Sequence, residues 1–132
     1  MKTTMIELHT KFPNTLNSHY TKTHNGIYVS KRGKEMITAV SIDVGEQLPG
    51  LLIDYRIAVE VLLFMPDRRK RDLDNYLKSL FDSITRSGLW VDDSLIDQLI
   101  VRRGEFVKGG RCVVRITAAG GVLLNDNAKD LP

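Results

Sequence analysis

The sequence predicts an α+β domain: a small mixed or antiparallel sheet with two helices, in the order β-α-β-α-β-β. Three observations carry this. Apolar residues alternate over 53–65 as in a strand, and apolar residues recur at helical period from Leu73 to Ile84. Two further runs, 96–106 and a Val- and Ile-rich 111–118, flank a Lys108-Gly109-Gly110 turn and read as a hairpin. At 132 residues the chain fits one domain, able to bury about two thirds of its unfolded surface without staples.

The first strand is short, around Met5 to His9, and ends before Pro13-Asn14. Ser30 is placed to cap a helix running through Glu35 and Met36 to about Val44 and ending near Gly45. In the 53–65 strand, Tyr55, Ile57, Val59, Val61 and Leu63 share one face. The other face carries Arg56 and Glu60, then Leu62 and Phe64, which predicts exposure at the strand's start and two-sided burial at its end. Asp72 can cap the second helix, whose stripe is Leu73, Leu77, Leu80, Phe81 and Ile84, and Gly88 suits the left-handed position past its end. Residues 119–132, with Gly120-Gly121 and a polar end, read as a frayed tail or a late docking strand.

Composition excludes several classes. A hydrophobic fraction of 42% with 27% charged residues is that of a folded soluble domain. No apolar run approaches the roughly 20 residues that span a bilayer, and the opening Met1-Lys2-Thr3-Thr4-Met5 has no apolar signal region, so a soluble cytoplasmic protein is expected. Cys112 is alone, which excludes an internal disulfide, and its apolar setting predicts a buried structural thiol. His9, His19 and His24 share no ligand spacing, which argues against a Cys/His metal centre. A net charge of +3 permits a polyanionic partner.

The clustering of charge is more informative. In Met65-Pro66-Asp67-Arg68-Arg69-Lys70-Arg71-Asp72-Leu73-Asp74-Asn75 a strand runs into four consecutive cations, then into two aspartates at a helix start. Hard cations such as Mg²⁺ take oxygen ligands, often one or two carboxylates with water and substrate phosphate. A third carboxylate would come from Trp90-Val91-Asp92-Asp93-Ser94, but only if the following strand doubles back beside the helix start. Each residue also has a plain structural role: Asp72 as a cap, Asp74 paired to Lys78 at i+4, Asp92-Asp93-Ser94 as a turn, and the cations as a solvated edge. Their conjunction favours phosphate drawn toward a metal.

The same residues resemble the RusA family of Holliday junction resolvases. The likeness lies in Asp72-Leu73-Asp74-Asn75-x-x-Lys78, in Phe81-Asp82, and in Gly88-Leu89-Trp90-Val91-Asp92-Asp93, preceded by Met65-Pro66-Asp67-Arg68-Arg69-x-Arg71. Pro13-Asn14, Ser18-His19-Tyr20 and Tyr28-Val29-Ser30 are similar to the family's N-terminal half, and Val107-Lys108-Gly109-Gly110-Arg111 to its terminal hairpin. The resemblance implies a homodimeric nuclease domain over 1–118, with 119–132 as its tail, that resolves four-way DNA junctions by paired nicks using Mg²⁺, with Mn²⁺ as a substitute. It also implies that Asp72, Asp74 and Asp93 are the essential acidic triad and metal ligands, and Lys78 the essential lysine. A phage or prophage origin is consistent with it.

The chemistry follows from these assignments. Metal held by the three aspartates would lower the pKa of a water and neutralise phosphate oxygens. Lys78 would stabilise developing charge, orient the nucleophile, or hold Asp74 in place. Asn75 is either a hydrogen-bond support for a ligand carboxylate or an ordinary first-turn residue, and Asp92 an auxiliary ligand or a turn former. Arg68, Arg69, Lys70 and Arg71 are expected on DNA phosphates, with Lys108 and Arg111 extending that surface. Apolar residues of the first helix or of the 53–65 strand are candidate dimer interfaces. Two rival readings stand beside this one: a non-catalytic basic DNA-binding module, and a nuclease for flaps or forks.

Overall fold

The computed structural model describes residues 4–120. Its main sheet has four strands: β1 (Ile6–Thr10), β4 (Ile57–Phe64), β5 (Ile96–Arg103) and β6 (Arg111–Ala118), ordered β1-β6-β4-β5. Between β1 and β4 come one helical turn, α1 (Leu16–His19), a two-stranded ribbon of β2 (Tyr20–Thr23) and β3 (Gly26–Val29), and the long helix α2 (Lys31–Gln47). Helix α3 (Leu77–Ser87) joins β4 to β5. The mixed α+β architecture is the expected one; α1 and the β2–β3 ribbon are additions to the expected order. The last residues of the expected tail, 121–132, lie outside the described residues.

The expected hairpin is not formed. β5 runs parallel to β4, with Ile57 opposite Ile96 and Leu63 opposite Arg103, while β6 pairs antiparallel with β4's other edge. The two runs thus flank β4 instead of each other. The physical reason is burial: β4 is buried on both faces from Ile57 to Val61 and needs a neighbour on each side to satisfy its backbone. Gly109 and Gly110, at φ +83 and +77, make the turn that swings the chain across.

The core sits on one face of the sheet. Ile57, Val59, Val61 and Leu63 of β4 join Leu8, Cys112, Val114 and Ile116, and these meet Met36, Val40 and Val44 of α2 and Leu80, Phe81 and Ile84 of α3. Each such side chain contributes about 1.5–3 kcal/mol by leaving water. Burial of the Cys112 thiol pushes its pKa up to about 12, consistent with a structural role. The expected exposed start holds at Arg56, but the strand begins only at Ile57, and Tyr55 is exposed rather than inward. Glu60 is buried with Ala58, and Leu62 and Phe64 are only half-buried. Arginines reaching in from β5 and β6 cover Glu60, which alternation alone does not reveal.

Ser30 caps α2 as expected, accepting a hydrogen bond from the Gly33 amide at 3.0 Å, and the helix continues past Gly45 to Gln47. Gly88, at φ +86, ends α3 as expected. Beyond it the Ile53 amide donates to the Leu89 carbonyl (2.8 Å) and the Val91 amide to the Ile53 carbonyl (3.1 Å). Trp90 seals this corner, with Phe81 at 5.7 Å and its indole donating to Thr85 at 2.7 Å. The end of α3 is therefore pinned beside the chain leading into β4.

Candidate functional site

The chain leaves the sheet after β4 through Met65-Pro66, and Asp67 organises the basic run that follows. Its carboxylate accepts from Arg71 Nη2 at 2.7 Å and Nε at 3.3 Å, and from the Arg69 amide at 3.0 Å. Arg71, foremost among these, lowers the Asp67 carboxyl to about 2. Arg71 also donates to the Tyr76 hydroxyl (3.1 Å), lies 5.9 Å from the Phe12 ring, and has its carbonyl bound by Arg103 Nη2 at 2.8 Å. Its side chain is only 15% exposed. Arg71 thus braces the loop from inside. Arg68, 5.6 Å from the Phe106 ring, is exposed, as are Arg69 and Lys70.

The turn before β6 comes to the same end of the sheet. The Val107 amide donates to the Met65 carbonyl at 3.0 Å. A Cβ on Gly110 would stand 2.7 Å from the Phe12 Cβ and 3.1 Å from Pro66, so only glycine permits this approach. Exposed Lys108 and Arg111 therefore face solvent near the run Arg68–Lys70, Arg111 donating to the His9 ring at 3.2 Å. Five of the six expected DNA-contacting cations are exposed at one end of the molecule; Arg71 is the exception.

Asp72 does not cap a helix. A 3₁₀ turn over Leu73–Tyr76 intervenes, α3 begins at Leu77, and no capping hydrogen bond reaches the Asp72 carboxylate. Tyr76 imposes the tighter turn, being buried with its ring 4.9 Å from Phe12 and its hydroxyl held by Arg71. Asp72 and Asp74 are both exposed, and among the described residues neither carboxylate has a hydrogen-bond or ion-pair partner. The i+4 pair of Asp74 with Lys78 is not made: the ammonium sits 5.9 Å from the Tyr20 ring instead. A polar hollow of about 280 Å³ opens beside Asp72, with Thr15, Lys70, Arg71 and Asn75 in its wall. Asn75 is exposed, its amide bound to the Asp72 carbonyl at 3.3 Å, the first-turn role.

Asp93 lies elsewhere. It starts a 3₁₀ turn, Asp93–Leu95, just before β5, and two residues earlier Val91 pairs with Ile53 ahead of β4. β5 does double back alongside β4, but the residue it delivers to the Asp72 end is Arg103, at its far end. Eight residues of strand separate Asp93's end from Arg103's, on the order of 25 Å. Asp93 stands instead near Tyr20, whose phenol pKa is raised by burial first and, among lesser causes, by the Asp93 charge. Among the described residues no three metal-ligating side chains converge. Asp93 is exposed and its carboxylate accepts no hydrogen bond in the described residues. Asp92 serves its own turn, accepting from the Ser94 amide at 3.2 Å, and the Ser94 contacts lower its pKa.

Two residues of the Lys78 setting escaped the sequence reading as site residues. The Tyr20 hydroxyl donates to Asp82 at 2.9 Å, and Asp82 is also paired with Arg86 at 3.3 Å and lies 3.9 Å from His19 Nε2. Burial first, then this bond to Asp82, raises the Tyr20 pKa, so the phenol stays neutral and presents its ring to Lys78. The signal that would have found the ribbon carrying Tyr20 is Asn25-Gly26 in the sequence, which closes the turn His24-Asn25 between β2 and β3.

Comparison with known proteins bears on this geometry directly. A family described as Endodeoxyribonuclease RusA matches residues 12–117. The chain is 33% identical over 106 residues to "Crossover junction endodeoxyribonuclease rusA" of Enterobacteria phage HK97, covering 80% of this chain and 88% of that protein. It is 31% identical over 116 residues to "Crossover junction endodeoxyribonuclease RusA" of Escherichia coli strain K12, covering 83% and 91%. The relative from Enterobacteria phage 82 is 33% identical over 113 residues.

Proposed function

This chain belongs to the RusA family of endodeoxyribonucleases, and from that premise we propose that it is a Mg²⁺-dependent homodimeric enzyme resolving four-way DNA junctions by paired nicks in the cytoplasm. The observation that carries the reading is the split placement of three partnerless carboxylates: Asp72 and Asp74 beside an exposed basic run, Asp93 at the opposite end of β5. Buried pairs stabilise a fold; exposed carboxylates with no partner beside five cations suit a metal and a phosphate.

The donor set fits Mg²⁺. Asp72 and Asp74 are hard oxygen donors with open valence, and two carboxylates with water and substrate phosphate meet the usual demand of that ion, with Mn²⁺ as a substitute. A bound Mg²⁺ would supply an activated water and neutralise phosphate oxygens. The chain's own side chains do the rest. Arg68, Arg69, Lys70, Lys108 and Arg111 draw and position the phosphate backbone without reading bases. Lys78, held by Tyr20 and free of any carboxylate partner among the described residues, places a positive charge one turn beyond Asp74 for the charge developing on the phosphate.

A dimer explains where Asp93 acts. β5 is an outer strand of the sheet, and a two-fold axis beside it would pair β5 antiparallel with its copy. That arrangement sets the start of one β5 against the end of the other, bringing Asp93 of the partner subunit toward Arg103, Asp72 and Asp74. β4, one of the interfaces considered from sequence, is a central strand and has no free edge. Two composite sites related by the axis answer the two cuts that a junction of two-fold symmetry requires. The test is cleavage of a synthetic four-way junction, a flap and a linear duplex in Mg²⁺. Symmetric paired nicks in the junction, with the others cut far more slowly, are expected; equal rates on all three would remove the resolvase reading.

A further inference from the structure

Lys78 also lines a second hollow, of about 310 Å³, together with Leu16, Asn17, Tyr20, Lys22 and Ile27. Its walls are unusual for an exposed surface. Leu16 is 41% and Ile27 67% exposed, and neither packs into the core. The Tyr20 ring in the same lining is held by its hydroxyl bond to Asp82. Two ammonium groups, Lys22 and Lys78, stand in the same lining, and Asn17 offers an amide.

An apolar floor with a rigid aromatic ring and flanking cations matches one kind of occupant, a nucleotide: a flat base against the apolar wall and anionic phosphates against the lysines. The volume is at the small end of ligand sites, right for one base and too small for a stacked pair of bases with their sugars. Lys78 belongs both to this hollow and to the proposed phosphate site, so the nucleotide it takes is a neighbour of the phosphate being cut.

We infer that this hollow receives a single nucleobase turned out of the DNA stack at the branch point, next to the scissile phosphate. The inference rests on the proposed junction-cleaving function and supplies a physical basis for its structure preference. Turning a base out costs least where pairing and stacking are already interrupted, which holds at a crossover and not within continuous duplex. The basic run then provides affinity for any DNA, and the hollow provides the discrimination.

The test begins by changing the DNA and not the protein. Four-way junctions carrying one abasic nucleotide, at each crossover position in turn or within an arm, are bound by the full chain without metal, then cleaved in Mg²⁺. One crossover position should bind about 5- to 150-fold more weakly when its base is missing, the loss of one base–aromatic stack, while arm positions change nothing. The double variant Leu16→Ser, Ile27→Ser, at two exposed positions, should weaken binding of the intact junction and lose part of its sensitivity to the abasic substitution, because wall and base are coupled while the Tyr20 ring remains. If the wild-type chain nicks junctions but no crossover position is sensitive, or if the double variant stays as sensitive as wild type, the base pocket is wrong. Abasic sensitivity in a chain that nicks nothing in Mg²⁺ or Mn²⁺ would uphold the pocket and overturn the nuclease reading instead.

Discussion

Charge is dense in two regions of this protein, and they treat it oppositely. On the sheet face away from the helices, buried Glu60 accepts from Arg102 at 3.3 Å and Arg115 at 3.2 Å; Arg115 also holds Glu7 at 3.0 Å, and Glu7 holds His9 at 2.7 Å. Every charge there has a partner. At the exit of β4, Asp67 and Arg71 are likewise paired, but Lys70, Asp72, Asp74 and Lys78 have no ion-pair partner among the described residues. The first region holds the sheet together. The second presents charges that only something outside the chain can satisfy, and the contrast separates structure from function more sharply than either charge density or exposure.

Breaking each region should therefore have different consequences. The largest expected effect is on activity: Asp74→Asn should lower junction cleavage by about 1000-fold or more, as loss of a member of a catalytic unit does, while leaving the urea midpoint and junction binding near wild type. A variant that cut normally would place Asp74 among the structural charges. Arg115→Ala should do the reverse, costing about 2 kcal/mol in urea unfolding because it strands a buried carboxylate; the figure is below the usual cost of such a loss since Arg102 remains and Arg115 is partly exposed. Its cleavage rate, measured on the folded fraction, should be unchanged.

Smaller effects refine the boundary within the basic run. Lys70→Ala should reduce the slope of log affinity against log salt by about 1 on junction and duplex alike, with no change in stability. Arg71→Ala should cost stability, about 1–2 kcal/mol, since it strips bonds from Asp67 and Tyr76. A pH titration gives the smallest signal. Burial lowers the His19 pKa below 6.5, with Asp82 opposing, so the unfolded chain takes up its proton first. Stability should hold above pH 6.5 and decline as pH falls from there toward the lowered value. Thermal unfolding from pH 8 to 5 reads this, and a rise in stability on acidification would contradict it.

Much of this was legible in the sequence, and the reasons for the rest are specific. The α3 stripe and Gly88 obey local periodicity, and Ser30 obeys capping chemistry, so both appear where expected. The Asp72, Asp74 and Lys78 segment is legible because dense opposite charge at one point is rare without a ligand. Strand pairing is not local: β5 and β6 each alternate plausibly, and only β4's need for two neighbours shows that they do not pair with one another. Asp72 failed as a cap because Tyr76 buries and tightens the turn, a tertiary effect. The reversal that sequence reasoning required for Asp93 occurs, but it carries Arg103 to the site, since parallel pairing fixes which end of β5 arrives.

That last point makes the central claim testable without a structure of the complex. Asp74→Asn and Asp93→Asn chains, each inactive alone, are mixed, refolded together and assayed for nicking of a four-way junction. If each site combines Asp72 and Asp74 of one protomer with Asp93 of the partner subunit, every mixed dimer contains one intact site, and single-strand nicks reappear at a rate set by the mixed fraction. If all three carboxylates of a site came from one protomer, no mixed dimer would contain an intact site, and the mixture would stay inactive.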